Sequence, residues 1–301
     1  MWAPATVANL NVGFDALGCA LSEPGERMLL KRTERKGIVR IAAVHGADLD
    51  VHPERNVASI AAKSLLNALG NPCGLELELF KTILPGSGIG SSAASAAAAA
   101  AGVNALLEAG LRSDELIPFA LDGESFASGA RHADNVAPAL MGGLVVCPPK
   151  GAPISIPVPT GWHMVVLHPQ VMIRTADSRA VLPDEVPLEA ASKQAAWFAS
   201  FVAACYEKDD AGAALALEDL LVGPHRRALI PHFSESHALA FRCGARAGGI
   251  SGSGPSTFWV TLSEDSAQEV ASALQALMAG KGLDHSVYIS AVSARGAHEI
   301  R

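Results

Sequence analysis

The chain has 301 residues, of which 50% are hydrophobic and 18% charged, and it carries a formal net charge of -7. The length favours two domains of roughly 150 residues, and the apolar content excludes long disordered tracts. The negative balance, together with the absence of a Lys/Arg cluster in the sequence, argues against a nucleic-acid partner.

Predicted elements of the first half follow from hydrophobic spacing. Apolar residues at three- and four-residue intervals predict a helix over 57–69, and strict alternation predicts a strand over 75–80. A serine N-cap before six alanines predicts a helix that begins at Ser91 or Ser92. A further helix is expected over 116–131.

The second half is expected to begin after the apolar strand 144–147 and the proline-rich stretch 148–159. We predict a domain change near residue 160, with domains 1–158 and 159–301. Beyond it, strands and helices alternate, which favours an α+β fold. The predicted strands are 163–168, 256–262 and 286–292, and the predicted helices are 188–207, 211–221, 234–246 and 265–279.

The loop Gly86–Ser92 carries the clearest chemical signal. Its three glycines let the backbone approach a ligand closely, and the free N–H groups of the helix that follows favour an anion. The loop lacks the lysine of a Walker A motif and the spacing of a dinucleotide fingerprint. Taken alone it could simply join a strand to a helix. A similar loop at 250–256, expected between a helix and a strand, makes that structural interpretation weaker.

Three segments together resemble the kinases of galactose, homoserine, mevalonate and phosphomevalonate, the GHMP kinase superfamily. They are Pro4–Asp15, the loop Gly86–Ser92 and Gly249–Ser256, in the family order. Two departures are visible. Leu84-Pro85 inverts the usual Pro-Leu entry to the phosphate loop, and Asn11 stands where glycine or serine is common.

The segments Gly13-Phe14-Asp15 and His132–Gly143 resemble the homoserine kinase branch of that superfamily. The resemblance implies a GHMP kinase fold, with an N-terminal domain like ribosomal protein S5 domain 2 and a ferredoxin-like C-terminal domain. It also implies transfer of phosphate from ATP to the hydroxyl of L-homoserine, giving O-phospho-L-homoserine for threonine biosynthesis.

The resemblance assigns an acceptor site. Guanidinium groups suit the substrate carboxylate, an aspartate suits its ammonium group, and amides can orient its hydroxyl. Surface charge is the structural alternative for the arginines, and a hydrogen-bonded pocket histidine is the alternative for His132. The implied substrate-binding residues are Asn9, Asp15, Asn135, Arg179 and Arg226, and the implied catalytic residues are Asn135, His132 and Arg226, with Asp134 as a competing candidate.

The resemblance also assigns the donor site and its Mg²⁺, which would be held by few protein ligands and several waters. Ser92 and Glu124 match the family's metal ligands, although Glu124 could also be an ordinary helix-surface acid. The implied ATP-binding residues are Asn56, Lys81, Pro85, Gly86, Ser87, Gly88, Ile89, Gly90, Ser91, Ser92, Ala93, Ser253 and Gly254.

The sequence also predicts where the protein acts and what it associates with. No apolar stretch approaches the roughly 20 residues that span a bilayer, and the first residues do not resemble a secretory signal. Five scattered cysteines suit a reducing cytoplasm. The family implies a homodimer. Two alternative functions remain: a GHMP kinase for another alcohol such as mevalonate, or a sensor that binds ligand without turnover.

Overall fold

The computed structural model describes residues 1–129 and 131–300, and these form two β-sheets that follow one another along the chain. The order of the first sheet is β3-β4-β2-β5-β6, with β1 paired to β2, and its pairs are antiparallel except for β3 and β4. Its strands are β1 (Trp2–Ala8), β2 (Leu17–Thr33), β3 (Val39–His45), β4 (Gly74–Phe80), β5 (Leu144–Val146) and β6 (Ile154–Ile156).

Helices cover the first sheet, and a longer series of helices follows the first strand of the second sheet. Those of the first half are α1 (Val57–Ala68), α2 (Ser91–Leu106), α3 (Ser113–Ser128) and α4 (Val136–Met141). Those that follow the first strand of the second sheet are α5 (Thr175–Ala180), α6 (Leu188–Glu207), α7 (Asp210–Leu215), α8 (Gly223–Arg226), a 3-10 turn (Arg227–Leu229) and α9 (Phe233–Arg242).

The second sheet is antiparallel throughout, in the order β10-β7-β9-β8. Helix α10 (Glu264–Gly280) connects its last two strands along the chain. This strand order, with helices after the first and third strands, is the β-α-β-β-α-β arrangement of a ferredoxin-like domain, as expected. Its strands are β7 (His163–Pro169), β8 (Ala247–Ile250), β9 (Thr257–Thr261) and β10 (His285–Ser290).

Helix α2 lies at the centre of the first half. Every residue from Ala93 to Val103 is buried. Alanine combines the highest helix propensity with a small side chain, so neighbouring elements can approach the helix closely. At Gly102 the approach is closer still, since a Cβ atom there would lie 2.4 Å from Cδ1 of Leu30. Helix α2 is thereby held between neighbouring elements along most of its length.

Several predicted elements are confirmed with ends within one residue: helices 57–69, 188–207 and 265–279, and strands 75–80 and 163–168. The helix expected over 116–131 begins earlier, at Ser113, and ends at Ser128, while Ala130 lies outside the described residues. Strands β1, β2 and β3 were not predicted. The first two are buried on both faces along much of their length, so they show no regular alternation.

Three local predictions were wrong. No serine side chain caps α2, because its N-cap is Gly90 in the left-handed region at φ 71°. The loop 250–256 joins two strands of a hairpin, β8 and β9, instead of a helix and a strand. The helix predicted over 211–221 ends at Leu215, and the carbonyls of Leu217 and Glu218 beyond it accept hydrogen bonds from side chains of other segments.

The two sheets share one core, although the chain passes from the first to the second between Ile156 and His163. Phe201, Phe258 and Val260 of the second half belong to the same buried cluster as Leu17 and Val145 of the first. Within the described residues, no helix combines the length and apolar character needed to cross a membrane.

Candidate active site

The phosphate loop follows β4 and leads into α2. Its glycines Gly86, Gly88 and Gly90 all have positive φ, at 74°, 82° and 71°. The loop is tied to the β8–β9 loop, since the Ser251 hydroxyl donates to the Gly88 carbonyl at 2.7 Å. Because no side chain caps α2, the N–H groups of its first turn are left for a bound anion.

A cavity of about 710 Å³ opens in front of this loop, a size typical of small-molecule sites. The start of α1, the end of α3 and the segment 172–176 form its other walls. Twelve sequence-predicted residues line it: Asn56, Lys81, Pro85, Gly86, Ser87, Gly88, Gly90, Ser91, Ser92, Glu124, Asn135 and Ser253. Asn56 also caps α1, because its Oδ1 accepts a hydrogen bond from the Ala58 N–H at 3.0 Å.

Lys81 lies at the base of the cavity in a buried ion pair with Glu26. Its ammonium group also donates to the Ser91 carbonyl at 3.1 Å and to the Ser95 hydroxyl at 2.9 Å. Three protons therefore have three protein acceptors. Burial raises the pKa of Glu26, and the ammonium charge of Lys81 opposes that rise. Through the bonds of Lys81 to Ser91 and Ser95, the ion pair stabilises the first turn of α2.

Glu124 faces the phosphate loop from α3, and the Ser92 hydroxyl hydrogen bonds to its carboxyl group. Burial, with the nearby charge of Asp134, raises the pKa of Glu124 to about 7. A carboxylate and a hydroxyl are the oxygen donors that Mg²⁺ prefers, and a cation would offset the cost of burying the charge. No group of three or more His, Cys, Asp or Glu side chains arranged for a metal occurs in the described residues. The donor set therefore fits a cation held mainly by phosphates and water.

A second cluster of charged side chains adjoins the cavity. Arg179 Nη2 donates to Asp15 Oδ1 at 2.7 Å, and His132 Nδ1 lies 3.6 Å from Asp15 Oδ2. The guanidinium groups of Arg179 and Arg226 lie 5.4 and 5.2 Å from the centre of the Phe14 ring. Burial and the charge of Arg179 lower the pKa of Arg226. Two guanidinium groups beside the same ring, one acting on the pKa of the other, favour binding of an anion.

The segment that carries Asp15 has an unusual backbone. Asn9, Leu10, Asn11 and Asp15 are non-glycine residues with positive φ, at 69°, 43°, 63° and 56°. Such strain is found where surrounding contacts fix a functional loop. Asn11, the departure from the family pattern, is held by the Leu217 carbonyl, to which its Nδ2 donates at 2.8 Å.

One carbonyl joins the two regions. The Gly252 oxygen accepts from Asn9 Nδ2 at 3.2 Å and from Arg226 Nη1 at 2.9 Å. Gly252 itself lines the cavity. Asn9 in turn accepts the Asp15 N–H at 3.0 Å. The cluster of charged side chains around Asp15 and the cavity are thus parts of one continuous site.

Asn135 stands at the start of α4, where the two regions meet. Its Oδ1 lies 2.7 Å from the hydroxyl of Thr6. The preceding residue, Asp134, is buried, and burial together with the charge of Asp15 raises its pKa to about 7.

Three predicted ATP-binding residues are not part of the cavity lining: Ile89, Ala93 and Gly254. Ile89 and Ala93 are buried in the core, and Gly254 packs towards Ile230. Among the residues at or behind the site that the sequence did not single out are Thr6, Glu26, Arg55, Met172 and Arg174. Glu26 lies on β2 in a buried position that nothing in the local sequence indicates.

Two family models match the chain. The model of the GHMP kinases N terminal domain matches residues 56–143, and that of the GHMP kinases C terminal domain matches residues 201–280. A homoserine kinase of Xanthomonas campestris pv. campestris is 39% identical over 298 residues, covering 98% of this chain and 92% of that protein.

Solved structures extend the comparison. The crystal structure of homoserine kinase from Cytophaga hutchinsonii has a TM-score of 0.93 at 38% identity and covers 98% of this chain and 95% of that chain. A mevalonate kinase of L. major has a TM-score of 0.75 at 16% identity, with 98% of this chain and 96% of that chain covered, which shows the shared fold.

The fold and the site define a small-molecule kinase of the GHMP class, with an alcohol as the acceptor. Within that class, the chain belongs to the homoserine kinase family.

Proposed function

We propose that the protein transfers the γ-phosphoryl group of ATP to the hydroxyl of L-homoserine, releasing ADP and O-phospho-L-homoserine. The observation that carries this proposal is the cluster of Asp15, Arg179 and Arg226 beside the cavity of the phosphate loop. This cluster supplies a negative charge for the ammonium group of an amino-acid acceptor and positive charges for its carboxylate.

Each end of homoserine has a complementary group in this cluster. Arg179 and Arg226 bind the carboxylate, since paired guanidinium groups favour an anion. Asp15 binds the ammonium group, exchanging part of its contact with Arg179 for the substrate. Asn9 positions Asp15 through the backbone, and His132 closes the wall beside it.

Phosphoryl transfer then depends on position and charge more than on covalent participation by the protein. The first turn of α2 and the glycines of its loop bind the phosphates, while Ser253 lines the cavity from the opposite loop. Ser92 and Glu124 would hold Mg²⁺, which when bound neutralises charge on the β- and γ-phosphates. Asn135 lies where the donor and acceptor regions meet and contacts the reacting oxygens.

We also propose the cellular setting that the family implies: a homodimer in the cytoplasm, acting in threonine biosynthesis. The five cysteines are free thiols, which supports a reducing compartment. The division into domains 1–158 and 159–301 stays a proposal as well, supported by the passage between the sheets after Ile156.

A substrate panel tests the proposed function. Purified protein with ATP and Mg²⁺ is offered L-homoserine, L-serine, L-threonine and mevalonate, and phosphorylated products are identified by ³¹P NMR. We expect O-phosphohomoserine as the main product. Turnover of mevalonate without homoserine would instead support another kinase of the superfamily, and ligand binding without any product would support a sensor.

Arg179→Met tests the acceptor site within the same assay. Loss of a charged hydrogen bond to the carboxylate should raise KM for homoserine on the order of 10- to 100-fold, with KM for ATP little changed. Arg40→Met is the matched control, since Arg40 forms an exposed ion pair with Glu76 on the first sheet. An unchanged KM for homoserine in Arg179→Met would remove this residue from the site.

A further inference from the structure

Thr6 carries a hydroxyl group in the interior of the first sheet. Its side chain is fully buried in β1. Its Oγ1 lies 2.7 Å from Oδ1 of Asn135, a residue 129 positions further along the chain. Neither composition nor spacing marks a threonine of this kind as functional, and its position suits an ordinary core residue.

The direction of this hydrogen bond follows from burial. A hydroxyl group withdrawn from water needs an acceptor for its proton, because an unpaired buried donor is costly. In the part of the chain that the structure describes, the acceptor that Thr6 reaches is Oδ1 of Asn135. The threonine therefore donates, and the carbonyl oxygen of the Asn135 amide is held on the Thr6 side.

The NH2 group of the Asn135 side chain then points towards the cavity. Asn135 lines the cavity in front of the phosphate loop. With Oδ1 bound to Thr6, the NH2 group is the part of the amide that is left for a ligand in the cavity. An amide nitrogen offers two donors and no acceptor. Asn135 thus presents N–H groups to the reacting oxygens.

Gly90 locates this pair relative to the phosphates. A Cβ atom on Gly90 would lie 2.0 Å from Thr6 Oγ1 and 3.0 Å from Asn135 Oδ1. Gly90 is the N-cap of α2, whose first turn faces the cavity. The hydroxyl and the amide are therefore packed directly against the start of the phosphate-binding helix.

We propose that Thr6 is a positioning residue: its hydroxyl fixes the rotation of the Asn135 amide so that Asn135 donates hydrogen bonds to the transferring phosphoryl group and the acceptor hydroxyl. The inference rests on the proposed function of this site. In the reaction, the alcohol oxygen forms a bond to the γ-phosphorus while the bond to the bridging oxygen of ADP breaks. In this proposal the hydroxyl proton passes to an oxygen of the transferred phosphoryl group, and the Asn135 oxygen, which is engaged by Thr6, does not accept it.

The first test compares two variants at one position. Thr6→Val removes the donor with little change of shape, and Thr6→Ser retains it. We expect Thr6→Val to lower kcat on the order of 10- to 100-fold, since a misplaced donor loses its contact in the transition state. KM for ATP and for homoserine should each change by about twofold or less, and Thr6→Ser should restore most of kcat.

Thr261→Val is the matched control for loss of a buried hydroxyl. Thr261 is fully buried in the second sheet, and its hydroxyl donates to the carbonyl oxygens of His163 and Ser263. We expect its kcat to stay within about twofold of wild type. If Thr6→Val and Thr261→Val reduce kcat equally at matched folded fractions, the effect is general and the proposal is overturned.

Asn135→Asp provides a measurement that does not depend on how Thr6 variants fold. The carboxylate can still accept from Thr6, but it has no N–H group for the ligand. We expect kcat to fall on the order of 10- to 100-fold. A variant as active as wild type, or more active, would show that the oxygen of residue 135 faces the substrate, and would overturn the proposal.

A double variant checks that Thr6 acts through Asn135. Thr6→Val should have little further effect on kcat in an Asn135→Ala background, since the amide that it orients is gone. Additive losses would contradict this. The wild-type assay separates the two proposals: absence of homoserine phosphorylation refutes the function, whereas an active wild type with unchanged Thr6→Val refutes the role of Thr6.

Discussion

The ion pair of Glu26 and Lys81 shows how single residues secure the phosphate loop from behind. The Ser91 hydroxyl donates to Glu26 Oε1 at 3.2 Å and the Ser95 hydroxyl donates to Oε2 at 2.7 Å. Together with Lys81, these serines satisfy both charges. A buried ion pair of this kind fixes the positions of the groups around it. Replacing one of its two partners leaves the other as an unpaired buried charge.

We therefore predict that Glu26→Gln lowers the free energy of unfolding by about 3–5 kcal/mol, measured by urea denaturation. The double variant Glu26→Leu with Lys81→Met should recover much of this loss, because it removes both charges. Glu76→Gln breaks the exposed pair with Arg40 and should cost at most about 1 kcal/mol. Equal losses in Glu26→Gln and Glu76→Gln would contradict the role of the buried pair.

Single functional residues can be recognised from the sequence when they belong to a short local motif. The glycines and serines of Gly86–Ser92 are recognisable because they precede an alanine-rich helix, and twelve predicted residues do line the cavity. Contacts between residues that lie far apart in the chain could not be predicted in this way. Glu26 meets Lys81 across 55 positions, and Thr6 meets Asn135 across 129. No local pattern encodes such contacts.

Among the elements, helix α2 depends on a glycine at its N-cap. Gly90 has φ 71°, and a side chain there would collide with Thr6. The predicted serine cap is wrong for a physical reason: the Ser91 hydroxyl bonds to Glu26 and to the Ile83 carbonyl, beneath the helix. The helix end therefore stays open towards the cavity.

A pair of glycine variants separates backbone strain from collision. Gly110 has φ 70° in the α2–α3 loop, and no neighbouring atom lies within 4 Å of the position that a Cβ would take there. We expect Gly110→Ala to cost about 1–2 kcal/mol of stability and no activity. Gly90→Ala should cost more and should raise KM for ATP on the order of tenfold or more, because the loop must shift. Equal stability and equal KM in both variants would show that the contact with Thr6 has no effect.

Long amphipathic helices were predictable, whereas several short elements were not. α6 and α10 have regular apolar spacing over 20 and 17 residues, and their ends were located closely. α4 and α5 have six residues each, too few to establish a period. β8 contains two consecutive glycines, Gly248 and Gly249, which concealed the strand before the second loop.

On the scale of the whole molecule, buried polar groups make stability depend on pH. His168 of β7 is buried next to the hydroxyl of Ser256, with Nδ1 and Oγ 3.2 Å apart. Burial lowers the pKa of His168 to about 4, from its ordinary value of 6.5. Between pH 6.5 and 4, His168 is therefore protonated in the unfolded chain but largely neutral in the folded protein.

Taken by itself, this difference makes His168 contribute a loss of stability as the pH falls from 6.5 to 4, whereas Glu124 and Asp134, whose pKa values burial raises to about 7, contribute in the opposite direction. The contribution of His168 is on the order of 3 kcal/mol, since each pKa unit corresponds to about 1.4 kcal/mol. Urea denaturation of His168→Asn between pH 6.5 and 4 should differ from that of wild type by this contribution, while His52→Asn, at an exposed position, should follow wild type. Parallel profiles for wild type and His168→Asn would contradict the prediction.

The Gly252 carbonyl has a consequence for the evolution of this enzyme. It accepts hydrogen bonds from both Asn9 and Arg226, so the loop that lines the cavity is also fixed to the charged cluster. A substitution that moves Asn9 or Arg226 would therefore also displace a wall of the cavity. We expect a change of acceptor specificity in this enzyme to require a compensating substitution on the cavity side of that oxygen.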